Sequence, residues 1–198
     1  SVKVKRDWNP SSTDASGTTI TDEVNISQIT QKFTIKVSSW FLISQKGYYK
    51  NSDISNLGPT PPKVGQTTTY TINWEIKNYF SDVKNVKVKT ILPQYVSLTG
   101  KIFPEDARLT FDSQSREIVW EVGDMQVGQG VLNQAPNVSF QIYFTPQNYQ
   151  VGQPPNIISQ TAILGEDGWT NSTINGIAAS INTTLPDDPT VNRQGTVQ

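Results

Sequence analysis

GPTPPKVGQTTTYTINWEIKN, residues 58 to 78, joins a rigid corner to a regular alternation of apolar and polar residues. Every second position of the alternating part is apolar: Tyr70, Ile72, Trp74 and Ile76. A period of two predicts a β-strand with one buried face. Pro61 and Pro62 fix backbone angles and are excluded from the centre of a sheet, while Gly65 permits a tight turn. The lead-in therefore predicts a stiff corner that delivers the chain into a sheet.

The same alternation recurs between turns rich in Gly, Pro, Asn, Asp and Ser. Its apolar sets are Phe33, Ile35, Val37, Phe41 and Ile43; Val86, Val88 and Leu92; Leu109 and Phe111; Ile118, Trp120 and Val122; Val138, Phe140, Ile142 and Phe144; and Ile177, Ala179, Ile181 and Leu185. The residues from Asp112 to Ser115 predict a tight hairpin between two of these runs. About eight or nine short strands with one apolar face each predict an all-β fold, an Ig-like antiparallel β-sandwich.

The pattern predicts one sandwich domain over residues 1–186. Within it, residues 1–31 hold the strand-like VKVKR and a polar stretch with GTTITDE, which we interpret as one extra strand and a loop. Residues 187–198 begin with DDP and predict a C-terminal linker or tail. We further expect Tyr70, Trp74, Trp120, Phe140 and Ile142 to share one core between the two sheets.

Composition narrows the function. The chain has 198 residues, 35% of them hydrophobic, which is enough for a substantial core. The 16 basic and 17 acidic residues are spread along the chain and give a net charge of −1, so we expect no nucleic-acid partner. Apolar runs stay far below the roughly 20 residues that cross a bilayer, and we expect no membrane insertion by this segment.

The sequence contains neither His nor Cys. Without these residues there is no imidazole base, no thiolate nucleophile, no ordinary zinc site and no disulfide. Most common enzyme chemistries are therefore excluded, and we predict a protein that is not an enzyme and needs no cofactor. The absence of Cys is compatible with an extracellular location without requiring one.

Three segments, GQTTTYTINWEIKN, VKNVKVKTILPQYV and REIVWEVGDM, resemble a bacterial surface-repeat domain, the conserved repeat domain of unknown function number eleven. The positions that carry the resemblance are Gly65, Tyr70, Asn78, Leu92, Pro93, Trp120 and Gly123. The segments GPTPPKVG, FQIYFTP, QVGQPPN and DDP further resemble large envelope proteins of small-genome bacteria. The resemblance covers residues 30–190 and leaves out the first thirty. It implies an Ig-like domain on the bacterial cell surface, without implying a chemistry.

These features predict a non-enzymatic structural or adhesive module of a larger surface protein, acting as a rigid spacer or assembly unit. Stiff Pro-rich connections limit bending between neighbouring domains, which suits the corner at GPTPPKVG. The expected partners are neighbouring domains of the same protein, copies of itself, or a host or cell-surface protein or glycan. The alternative is a carbohydrate-binding module that uses exposed aromatic rings.

Several aromatic residues fall outside the core pattern. Trp40 and Leu42 are out of phase with the core positions of their strand, two tyrosines follow in a loop, and Trp169 comes after the turn EDG. A strand that is apolar on both faces is usually covered, here by the N-terminal segment, a protein partner or a ligand. The resulting candidate interface residues are Trp40, Leu42, Tyr48, Tyr49 and Trp169.

Two acidic pairs are weak candidates for calcium ligands: Glu166 with Asp167, and Asp187 with Asp188. Carboxylate oxygens suit calcium, but an adjacent pair without a spaced ligand loop is as well explained by solvated loops. We therefore expect no structural metal.

Overall fold

The structure is a computed structural model that describes residues 18–26, 29–192 and 194–198, with side-chain burial from residue 34 onward. The described strands are β1 Thr18–Ile26, β2 Ile29–Val37, β3 Phe41–Tyr48, β4 Thr68–Asn78, β5 Val83–Ile91, β6 Val96–Phe103, β7 Leu109–Phe111, β8 Glu117–Met125, β9 Asn137–Phe144, β10 Asn156–Ile158, β11 Thr161–Asp167, β12 Thr173–Ala178 and β13 Ile181–Asn182. Short 3-10 turns cover Asn148–Gln150 and Pro189–Val191. Among the described residues, no helix has the length and apolar character needed to cross a membrane.

Two antiparallel sheets form the body of the domain. The first has the order β3-β4-β9-β6 and the second the order β12-β11-β5-β8-β7. Ig domains place strands A, B, E and D in one sheet and C, F and G in the other. Here β3, β4, β9 and β6 follow the first order, β5, β11 and β12 follow the second, and the β7–β8 hairpin widens the second sheet. The predicted Ig-like antiparallel β-sandwich is therefore confirmed, and nine of the described strands form its two sheets.

The core lies between the sheets and is centred on Trp74, which is fully buried. Its ring stacks on Trp120 of the second sheet, with centroids 6.5 Å apart, and meets Phe140 edge-on at 4.9 Å. All five residues expected to share this core are buried in it: Tyr70, Trp74, Trp120, Phe140 and Ile142. Burying each such side chain contributes about 1.5–3 kcal/mol.

Gln45 of β3 is a buried polar link between the sheets. Its Oε1 accepts hydrogen bonds from the Trp74 indole N–H at 2.7 Å and from the Thr161 hydroxyl. Its amide nitrogen donates to the carbonyl oxygens of Ser159 and Ala179, at 3.1 and 2.8 Å. Since a buried amide is stable only when its polar atoms are paired, this network fixes β3 against β11 and the segment after β12.

The N-terminal region differs from its prediction. The stretch from Phe33 to Ile43 is not one strand, because β2 ends at Val37 and β3 begins at Phe41. Phe41 and Ile43 are buried as expected, but Ile35 is 49% exposed and does not join their face. The GTTITDE stretch, interpreted as a loop, contributes to β1, which pairs with β2 along its whole length as a separate hairpin. The stretch forms a strand despite its polar composition because threonine favours strands and because β2 pairs with it along its whole length. VKVKR lies outside the described residues.

The C-terminal segment also differs from its prediction. The sequence predicts a linker over 187–198, but Val197 is buried and packs in the core. The Gln198 amide donates to the Pro62 carbonyl at 2.9 Å, and the Gln198 carbonyl accepts from the Val64 amide at 2.9 Å. The linker interpretation is therefore corrected. The prediction was wrong because this segment is held by isolated backbone hydrogen bonds and single buried side chains, which leave no alternating apolar pattern in the sequence.

The start of β3 and residue Gln198 lie at opposite ends of the sandwich. Phe41, at the start of β3, pairs with Asn78 at the end of β4, and this is the N-terminal end. Gln198 lies beside Pro62 and Val64, in the segment that leads into β4 from the opposite, C-terminal end. β4 has eleven residues and spans roughly 36 Å. The N-terminal end also carries the loops 79–82, 126–135 and 168–172.

Candidate interface at the N-terminal end of the sandwich

The five predicted interface residues are divided between the two ends of the sandwich. Trp40 and Leu42 lie at the start of β3, and Trp169 lies in the loop after β11 at the same end. Tyr48 and Tyr49 lie at the far end of β3, roughly 23 Å away at the usual rise per strand residue. The structure therefore does not bring the five residues into one surface.

An aromatic patch formed by Trp40, Tyr79 and Phe80 covers part of the N-terminal end. The Trp40 ring lies 5.1 Å from the Tyr79 ring, and Tyr79 lies 5.9 Å from Phe80. Trp40 is 54% exposed and Phe80 is 43% exposed, and Leu42, two residues along β3, is 40% exposed. The sequence predicts Trp40 and Leu42 as interface residues but does not predict Tyr79 or Phe80. Their signal was the pair of aromatics directly after the strand that ends at Asn78.

Trp169 holds the base of the β1–β2 hairpin. Lys36 of β2 lies over the Trp169 ring with its Nζ 4.6 Å from the ring centroid, and it donates to the Trp169 carbonyl at 3.2 Å. The hydroxyl of Ser38 lies 3.1 Å from those of both Thr170 and Ser172. A ring covered in this way is half-buried and is already engaged by the chain's own cation. Trp169 therefore positions the chain before β3.

The two tyrosines at the C-terminal end pack within the domain. The Tyr49 ring meets the buried Tyr70 ring edge-on at 6.4 Å, and its hydroxyl donates to the Gly58 carbonyl at 2.7 Å. Burial raises the pKa of Tyr48, and the nearby carboxylates of Asp187, Asp188 and Glu75 raise it further. Tyr49 in particular is engaged in contacts inside the fold.

Asp167 is a buried carboxylate at the end of β11, with 1% of its surface exposed. Its Oδ2 accepts from the Ser39 amide at 2.6 Å and from the Ser81 hydroxyl. Its Oδ1 accepts from the Trp169 amide at 2.9 Å, the Thr170 amide at 2.7 Å and the Thr170 hydroxyl at 2.9 Å. One carboxylate of the second sheet thus holds the residue that leads into β3.

Asp188 performs the same task at the other end of β3. It is 3% exposed, and its Oδ2 accepts from the amides of Tyr49 at 2.7 Å and Lys50 at 2.9 Å. Its Oδ1 accepts from the Thr190 amide at 2.9 Å and the Thr190 hydroxyl at 2.6 Å. β3 is therefore bound just before its first residue and just after its last by two carboxylates from different parts of the chain.

Of the four weak candidates for calcium ligands, two accept hydrogen bonds from the protein and two are exposed. Asp167 and Asp188 are occupied by protein donors, while Glu166 and Asp187 are exposed. Throughout the described ranges, no three His, Cys, Asp or Glu side chains come close enough together to hold a metal ion. The donors around the two buried carboxylates are N–H and O–H groups, which suit a carboxylate and not a cation.

Both buried carboxylates have a pKa below the ordinary value for aspartate. Burial alone raises the pKa of Asp167, but bonds from the Ser39 amide, the Ser81 hydroxyl and Thr170 outweigh it. Burial likewise raises the pKa of Asp188, and bonds from Thr190, the Lys50 amide and the Tyr49 amide outweigh it. In each case the charged form is favoured in the folded protein because hydrogen bonds to a carboxylate stabilise it.

Acid should therefore weaken the fold through these two groups. A carboxylate with a lowered pKa stabilises the fold fully above its unfolded pKa of about 3.9, and this is lost as pH falls through the folded value. We expect the free energy of unfolding, measured with urea, to fall steeply below about pH 4 and less steeply in Asp167→Asn. The exposed Glu105→Gln is the control. Equal slopes in all three proteins would contradict this assignment.

A groove of about 530 Å³ lies between residues 53–55 and 100–105. Its charged lining residues are Asp53, Lys101 and Glu105, and all three are exposed. Two carboxylates in one groove are also what a glycosidase uses, but a glycosidase needs one of them kept protonated by burial or by a close like charge. The exposed positions of these carboxylates do not supply that environment.

Comparisons with known proteins give similar folds at very low identity. No family model matches the chain, and no curated protein is similar in sequence. Among solved structures, BcpA, the major pilin subunit of Bacillus cereus, is 11% identical with a TM-score of 0.43, covering 81% of this chain and 50% of that one. The full-length major pilin SpaD from Corynebacterium diphtheriae is 8% identical with a TM-score of 0.42, covering 77% and 42%. The RrgA Jo.In complex is 10% identical with a TM-score of 0.40, covering 80% and 83%. The chain thus spans about half the length of the pilin subunits it matches.

Proposed function

We propose that the domain is a non-enzymatic structural or adhesive module of a larger bacterial cell-surface protein, in which it acts as a rigid spacer or assembly unit. The observation that carries the proposal is the chain path. β3 begins at one end of the sandwich, Gln198 lies at the other, and both are fixed to the body by hydrogen bonds. A module fixed in this way at both ends keeps its two attachment points at a set distance along its long axis. Its proposed location is the extracellular face of the envelope.

The positions that resemble the surface-repeat domain support this proposal because they have structural roles. Gly65 and Gly123 have positive φ angles, +73° and +90°, which favour glycine. Tyr70 and Trp120 are buried in the core. The buried Asn78 donates to the carbonyls of Ser81 and Gln126, both at 2.8 Å. A motif that specifies turns and core positions is what a framework domain requires.

We further propose that the aromatic patch is the contact with a neighbouring domain or a second copy. Exposed, mutually packed rings at an interface centre are typical binding hot spots. We expect Trp40→Ala to change the free energy of unfolding by less than about 1 kcal/mol, because the ring is half exposed. Assembly of the full-length protein should weaken by about 30-fold or more, which corresponds to a hot-spot loss of 2 kcal/mol.

Sedimentation of the full-length protein measures the assembly, and urea unfolding of the domain measures the stability. Leu132→Ala is the control, since Leu132 is 85% exposed on a different loop of the same end. Unchanged assembly in Trp40→Ala would contradict the interface proposal.

The alternative is a carbohydrate-binding module, which the open Trp40 ring favours. Sugars stack on flat exposed aromatic rings, and Trp40 offers more of its face than the half-buried Trp169. A glycan array probed with the intact protein separates the two proposals. We expect it to stay blank. Reproducible binding that is lost in Trp40→Ala or Trp169→Ala would favour the carbohydrate-binding module.

A further inference from the structure

β3 is an edge strand of the first sheet, yet it is tied to other parts of the chain at both ends. Asp167, which holds Ser39, belongs to β11 of the second sheet. Asp188, which holds Tyr49 and Lys50, belongs to the C-terminal segment. These three bonds, one before β3 and two after it, connect the strand to elements far away in sequence.

We infer that Asp167 and Asp188 form a two-point clasp that keeps β3 in place when the module is pulled along its long axis. The inference rests on the proposed spacer role. It assigns to two buried carboxylates a mechanical role that is distinct from the stabilisation provided by the hydrophobic core.

The path of an applied force leads through both carboxylates. Tension that arrives from the N-terminal side passes through the backbone of Ser39, and the Asp167 bond to the Ser39 amide transfers it to β11. Tension from the C-terminal side first meets the backbone bonds of Gln198 with Pro62 and Val64. Beyond these bonds it passes along the terminal segment to Asp188, whose bonds lead to Tyr49 and Lys50. Each pulled end is thus coupled to β3 or its neighbouring sheet before the strand itself is loaded.

Because of its pairing with β4, β3 would detach most easily by fraying from one of its two ends. β3 pairs with β4 antiparallel over eight positions, from Phe41 with Asn78 to Tyr48 with Thr71. Axial tension loads these backbone bonds together, whereas fraying from an end breaks them one at a time. Bonds to a charged acceptor are roughly twice as strong as neutral ones, so carboxylates at both ends oppose fraying more than amides would.

Asp112 offers a matched control outside this path. Its carboxylate accepts from the Gln114 amide at 2.8 Å and the Ser115 hydroxyl at 2.9 Å, in the β7–β8 turn. These hydrogen bonds lower the pKa of Asp112, as hydrogen bonds do at the two clasp residues. Asp112 is exposed and does not contact β3 through these bonds. Asp112→Asn thus removes a hydrogen-bonded carboxylate without touching the clasp.

The test is single-molecule force spectroscopy on the whole 198-residue chain. One geometry pulls from the two termini. The other pulls between cysteines introduced at Gln114 and Leu132, two exposed positions away from β3, and the absence of native Cys makes the attachment specific. We expect Asp167→Asn and Asp188→Asn each to speed unfolding at a given force by about tenfold or more in terminal pulling, as loss of a charged hydrogen bond allows. In the second geometry the change should stay below about threefold. In terminal pulling, Asp112→Asn should leave the unfolding rate unchanged, because Asp112 lies outside this force path.

Two results would overturn the clasp. Equal acceleration in both geometries would show that the carboxylates stabilise the fold without a particular role under axial force. No acceleration beyond that of Asp112→Asn would remove any role under force. Failure of the spacer proposal would look different. It would appear in the wild-type chain, as unfolding from the termini at forces lower than those needed in the Gln114–Leu132 geometry.

Discussion

Trp74→Ala is expected to lower the free energy of unfolding by about 3–5 kcal/mol, the usual cost of emptying a buried aromatic site. Trp74 is fully buried and packs against Trp120 and Phe140. Its removal also leaves the Gln45 side-chain oxygen without the indole donor. Urea-induced unfolding followed by far-ultraviolet circular dichroism measures the change.

The control is Trp40→Ala, which removes the same side chain from a site that is 54% exposed. The two variants share the chemistry of the substitution and differ in burial. A Trp74→Ala protein as stable as Trp40→Ala would show that the two sheets do not pack around this ring, and the sandwich would be wrong.

Truncation after Pro186 is expected to have the second large effect, a loss of at least about 3 kcal/mol of stability. The removed segment contains Val191 and Val197, both buried, and each contributes about 1.5–3 kcal/mol. It also contains Asp188, whose loss leaves the amides at the end of β3 without their acceptor. Thermal unfolding of the truncated chain measures the loss.

A finer version of this experiment compares two adjacent aspartates. Asp188→Asn should destabilise the domain, because Asp188 is buried with four hydrogen bonds, while Asp187→Asn should be neutral, because Asp187 is exposed. If the truncated chain melted like the full-length chain, the segment 187–198 would be the linker that the sequence predicts.

The central strands were predictable because their signal is local. The alternation from Tyr70 to Ile76 reports a half-buried strand wherever the partner strands lie, and the turn at Asp112 reports its hairpin in the same way. Burying one apolar face on each strand favours two sheets packed face to face. Sequence pattern alone was therefore sufficient for the fold class.

The candidate site was less predictable because its contacts are not local. The bond from Ser39 to Asp167 joins residues 128 positions apart, and the bond from Tyr49 to Asp188 joins residues 139 apart. No periodicity records such a pairing. A weaker signal was present, since each Asp precedes a threonine by two or three residues, as in DGWT and DPT, a spacing typical of side chains that bond their own turn. The acidic pairs by themselves indicate only weak calcium ligands or solvated loops.

A distance between spin labels on Leu42→Cys and Thr196→Cys tests whether the module is rigid from one end to the other. Leu42 lies exposed at the start of β3, and Thr196 lies exposed in the terminal segment at the opposite end. A sandwich that runs from end to end with a docked terminal segment requires one narrow distribution centred at about 30 Å or more, the length of nine strand residues. A broad distribution, or a maximum well below that length, would contradict a rigid module with the start of β3 and the terminal segment fixed at opposite ends.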